Sequence, residues 1–139
     1  MNIKAGIISG FVATVVLSAL MVIKTMMGVM PELNAVKMLA DMMGAPMMMG
    51  WVAHFAIGTL VWGTLFALLV NKLPGGTVVS AIIFSIGAWL MMMIGPMPMA
   101  GAGLFAMNMG MMAPIATLML HLIFGVALGL TYKKLAASQ

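Results

Sequence analysis

The chain holds two histidines, His54 and His121, in 139 residues of mostly apolar sequence. Each has a glycine four residues on: "WVAHFAIGTL" pairs His54 with Gly58, and "LMLHLIFGVAL" pairs His121 with Gly125. On a helix, residues four apart share a face. Gly50, His54 and Gly58 therefore form one face, and Thr117, His121, Gly125 and Gly129 form another. A strongly polar side chain in hydrocarbon is costly and is by default a functional candidate. The chemistry open to such a pair is axial ligation of a b-type haem, with an imidazole on each side of the iron. Gly58 and Gly125 would then leave room for the flat ring. Ligation by one histidine and one methionine is also open. The plainer role is helix packing, because small-residue faces let membrane helices approach and histidine hydrogen-bonds across them.

Methionine is the second chemical feature. Of 21 methionines, 18 fall in two stretches, Met26 to Met49 and Met91 to Met112. Thioethers are soft ligands that suit Cu(I). The runs Met47–Met49 and Met91–Met93 could contribute to such a site. Methionine is equally a pliable apolar filler. Other chemistry is thinly supported. Cysteine is absent, which excludes disulfides and thiolate sites. No carboxylate lies inside an apolar stretch, and no nucleophile, base and acid group together, so no catalytic constellation is visible. Glu32 and Asp41 read as solvated loop residues.

These residues must be positioned by membrane-spanning elements. Apolar residues make up 65% of the chain and charged residues only 6%, against about 25% in soluble domains. Four apolar stretches are long enough to cross a bilayer as helices. They run about Ala5 to Met27, Met47 to Val70, Thr77 to Ile94 and Ala113 to Tyr132. The N-terminal run is longer than a signal-peptide core and reads as a retained first span. The predicted fold is an all-α, four-helix transmembrane bundle of one domain, covering residues 1–139. "PELNAVKMLADMMG" predicts a short surface helix, with Pro31 in its first turn and Gly44 just past its end. "PMPMAGAGLFAMNMG" predicts a re-entrant or interfacial loop.

Shifting the chain by 67 residues superposes its landmarks. Ser18 meets Ser85, Gly28 meets Gly95, Pro31 meets Pro98, His54 meets His121 and Gly58 meets Gly125. Two parallel two-helix repeats are the expected origin, related by an axis along the membrane normal. The histidines then share a depth of roughly 10 Å below the outer surface of the core, at 1.5 Å per residue. They also occupy equivalent faces, so both can point at the axis. The six lysines set the orientation. Lys4, Lys72, Lys133 and Lys134 lie on one side and Lys24 and Lys37 on the other, which favours cytoplasmic N- and C-termini. Lys24 is expected to snorkel, and Trp51 and Tyr132 to lie near opposite interfaces. The net charge of +4 forms no basic stripe, so nucleic acid is not an expected partner.

"GWVAHFAIGTLVWGTLFALL", "MMMIGPMPMAGAGLF" and "LMLHLIFGVALGLTY" resemble the DUF6789 family of small four-span prokaryotic membrane proteins. The resemblance covers nearly the whole chain and includes His54, Gly58, His121, Gly125 and Gly129. It implies a fold and a location in the prokaryotic cytoplasmic (inner) membrane. It brings no assigned activity. The residues themselves predict a small haem b electron-transfer protein, with its haem iron between His54 and His121 near the periplasmic face. A quinol or an external redox protein would be in reach there. The alternative is an accessory subunit beside a larger membrane redox complex, and a third reading is Met-rich copper binding. Self-association into a homo-oligomer is compatible with each.

Overall fold

The computed structural model describes residues 1–138. Four of its helices are long and apolar enough to cross a membrane: Ile3–Met26, Met47–Leu69, Gly76–Met99 and Met112–Ala137. No strand occurs among the described residues. The first span is α1 (Ile3–Met26), started by the Asn2 side chain, which accepts the Ala5 N–H at 2.9 Å. Its 24 residues give about 36 Å of rise, enough for a core of about 30 Å.

A short helix, α2 (Ala35–Met43), follows. It begins at Asn34, not at Pro31 as the proline predicted. Asn34 caps it by accepting the Lys37 N–H at 3.1 Å, whereas Pro31 lies in the preceding turn. Gly44 ends it as expected, in the left-handed conformation at φ 60°. Asp41 belongs to this helix rather than to a loop and pairs with Lys37 at 2.5 Å, both well exposed.

The second span is built from three pieces: α3 (Met47–Ala56), a π-helical segment (Ile57–Trp62) and α4 (Gly63–Leu69). The third is α5 (Gly76–Ile94), continued past Gly95 by the short α6 (Pro96–Met99). The segment expected to be a loop therefore holds α6 and a 3-10 segment, Leu104–Met109. Phe105 and Ala106 within it have φ 56° and 54°, a conformation that costs of order 1–3 kcal/mol per residue. It is held by burial, since Ala106 packs with Met93, Met97 and Ala113, and by the edge-on contact of Phe105 with Trp89 at 5.8 Å. The fourth span, α7 (Met112–Ala137), runs one turn beyond Tyr132 because "KKLAA" is good helix-forming sequence.

The helices pack in the lateral order second, first, fourth, third span. On α1 a residue every four, Gly6, Gly10, Thr14 and Ser18, faces the second span. A Cβ at Gly6 would run into Gly63, at Gly10 into Gly58 and Gly63, and at Gly58 into Thr14. Gly58 and Gly63 are five apart, and the π-helical segment between them is what returns residues five apart to one face. At the other flank, Gly125 and Gly129 seat α7 on Ala81 and Ser85 of α5. The second and third spans do not approach so closely. They meet through side chains, with Phe84 against Trp62 at 5.8 Å and Phe66 at 5.5 Å.

That aromatic contact belongs to a closed core at the end of the bundle holding the chain termini. Phe66, Phe124, Leu128 and Tyr132 are buried in it. Tyr132 is not an aromatic anchor facing lipid. It is 5% exposed, packs on Phe66 and accepts the Asn2 N–H at 3.0 Å. At the α2 end, Lys24 bends onto the chain rather than reaching outward. Its Nζ donates to the carbonyls of Val29 at 3.1 Å and Met30 at 2.7 Å.

Candidate functional site

Toward the α2 end the bundle forms an open-sided cavity of about 790 Å3, within the ~300–1,000 Å3 range of ligand pockets. All four spans line it, as do α2 and the segment after α5. Trp62 and Phe124 border it on the side of the closed core. The close approach of α2 depends on Gly50, where a Cβ would strike the Val36 carbonyl and the Ala40 side chain.

His54 and His121 both line this one cavity, although they come from opposite halves of the chain. Their settings differ. His54 is 8% exposed, and its Nε2 lies 3.1 Å from Ser18 Oγ. Ser18 Oγ also lies 2.6 Å from the Thr14 carbonyl. A carbonyl only accepts, so the single hydroxyl proton goes to Thr14. The serine oxygen then accepts a proton from His54 Nε2–H, and the ring's lone pair rests on Nδ1. His121 is the opposite tautomer. Its Nδ1 lies 2.7 Å from the Thr117 carbonyl, so Nδ1 carries the proton and Nε2 the lone pair. Thr117 is itself fixed from the third span, because Trp89 Nε1–H donates to its Oγ1 at 3.0 Å.

The repeat explains this asymmetry. Ser85 stands at the place of Ser18 and, like it, donates to its own helix, at the Ile82 carbonyl 2.9 Å away, but it packs on Gly125 rather than on a histidine. His121 has no serine partner and turns to Thr117. Position 50, the counterpart of Thr117, is the glycine on which α2 rests. The two glycines of the His-x-x-x-Gly pairs sit at helix contacts, Gly58 on Thr14 and Gly125 on Ser85, and Gly58 also lines the cavity.

The model for DUF6789, a family of unknown function, matches residues 1–139. The chain belongs to this family. No curated protein and no solved structure matches it. In this DUF6789 member, sequence spacing singled out both cavity histidines. It did not reveal that Ser18 is the partner of His54, although Ser18 and Ser85 are repeat landmarks. The α1 stripe with a small residue every four positions carried that signal. Nor did the sequence mark the π-helical segment, whose only trace is the five-residue spacing of Gly58 and Gly63. Among the described residues no three of His, Cys, Asp and Glu gather as a metal cage.

Proposed function

We propose that this protein binds a b-type haem in the two-histidine cavity and serves in electron transfer. The observation that carries the reading is the shared cavity: the chain's two imidazoles, far apart in sequence, line one mainly apolar space large enough for a prosthetic group. The donor set fits the group. His121 presents the lone pair of Nε2, while its Nδ1–H is held by a carbonyl, the usual outer partner of a metal-bound imidazole. His54 presents Nδ1 while Ser18 holds Nε2, and either ring nitrogen of histidine serves as a metal ligand. The chemistry a haem supplies is one-electron exchange at a potential set by its ligands and by burial.

The protein's own groups do the rest. Ser18 and Thr117 fix the two rings and their tautomers. Trp62 and Phe124 wall the cavity off from the closed core, and α2 lines its other end. On the lysine distribution, the cavity lies toward the periplasmic side of a prokaryotic inner membrane, where a quinol or a redox protein would exchange electrons with it.

The test is optical. Protein purified from haem-replete cells is expected to show a sharp reduced α-band. That band should vanish in His121→Ala and in His54→Ala. Wild-type protein without a band, recovered folded from such cells, overturns the proposal. Colourless protein that co-purifies with a larger oxidoreductase would instead make the chain an accessory subunit.

A further inference from the structure

The haem reading leaves most of the cavity wall unused, and that wall is rich in sulfur. Eight methionines line the cavity, among them Met38 and Met42 on α2, Met91 and Met92 on α5, and Met97 and Met99 on α6. They reach one space from several elements, which apolar filling of a helix interface does not require. Leucine or phenylalanine would fill the same volume. The remaining donors facing the cavity are the two histidines and a few oxygens. Asp41, one of those oxygens, is already paired with Lys37 at 2.5 Å. Cysteine is absent. No three of His, Cys, Asp and Glu gather among the described residues, so the carboxylate and histidine cages typical of Ca2+ and Zn2+ are not what this cavity offers. Thioethers select a soft monovalent ion.

We propose that the methionine-lined part of this cavity, toward α2 and α6, is a Cu(I) site. The ion reaches it from the α2 end. There Met42, Met91 and Met99 are 42%, 55% and 76% exposed while also lining the cavity. They offer the first thioethers to an incoming ion, and the less exposed Met38, Met92 and Met97 continue the sulfur lining. Binding involves no change in oxidation state. It also does not rest on the haem reading, because it uses sulfur where haem uses the imidazoles.

The experiment is competition for Cu(I) against bathocuproine disulfonate, without oxygen, on the full chain in detergent. Wild-type protein is expected to retain one Cu(I) per chain. The combined Met38→Leu, Met42→Leu, Met91→Leu and Met92→Leu variant should hold it at least about ten-fold more weakly. These exchanges nearly conserve volume and should leave the fold intact. A control variant carries leucine at Met26, Met27, Met111 and Met112, which are exposed and do not line the cavity; it should bind within about two-fold of wild type. X-ray absorption on copper-loaded wild-type protein should show a shell dominated by sulfur, a readout independent of any variant. Failure of the wild type to retain copper, equal retention by the cavity variant, or a shell of nitrogen and oxygen alone overturns the site. Copper binding without a haem band would overturn the haem reading and leave this one standing. A haem band without copper binding would do the reverse.

Discussion

At the scale of single residues, the two histidines divide their labour. His54 ties the second span to the first through Ser18, whose oxygen lies between the ring and the Thr14 carbonyl. Removing the serine hydroxyl leaves a buried N–H without its acceptor. Such a bond is worth about 0.6–2 kcal/mol between membrane helices. Ser18→Ala is therefore expected to lower unfolding stability by about that amount, and Ser18→Ala with His54→Ala should cost less than the sum of the two singles, a coupling that a double-mutant cycle reads directly. His121 offers a contrast. Its ring bonds only to the Thr117 carbonyl, one turn away on the same helix, and that carbonyl keeps its place in the helix without it. His121→Leu should thus change stability by no more than about 0.5 kcal/mol while removing the reduced α-band. An equal loss of stability at both histidines would reduce the pair to helix glue.

Among the elements, the second span carries the least regular backbone. Its π-helical segment lets Gly58 and Gly63 both meet α1, and the fit at Gly58 is tight enough that a methyl would overlap Thr14 Oγ1. Gly58→Ala should destabilise the bundle by about 1–3 kcal/mol, as overpacking does. Adding Thr14→Ala, which deletes the nearest atoms, should recover part of that loss. Gly87 is the control, since a Cβ there meets nothing within 4 Å; Gly87→Ala should be neutral or gain up to about 1 kcal/mol from helix propensity. If the two alanines cost the same, the α1 contact is not the constraint. These elements also show where sequence suffices. Long apolar runs ended by "NKLPGG" and "GPMP" left little freedom for the four spans, because backbone in lipid must bond internally. Local backbone choices were less legible. The start of α2 depended on Asn34 winning over Pro31, and the left-handed Phe105 and Ala106 depend on burial against residues from other elements. Neither outcome follows from spacing alone.

For the whole molecule, the repeat is the organising feature, and its departures from symmetry are what shape the cavity. The 67-residue offset pairs the histidines, and both do line one space. It also implies that the second span should meet the third as closely as the first meets the fourth. Instead the first and fourth pack closely while the second and third meet only through side chains. Tertiary packing decides that difference; the gapless alignment cannot, because the π-helical segment has no counterpart in the continuous α7. The cavity thus sits nearer one end, and which compartment it faces determines what can reach it. If lysines favour the cytoplasmic side, their count of four against two would put the α2 end outside. With no native cysteine, single reporters are free of background. Met43→Cys, on exposed α2, should react with a membrane-impermeant maleimide in intact cells. Ser138→Cys, at the other end, should react only after permeabilisation. The reverse pattern would open the cavity toward the cytoplasm and remove the case for an external electron partner or an external source of copper.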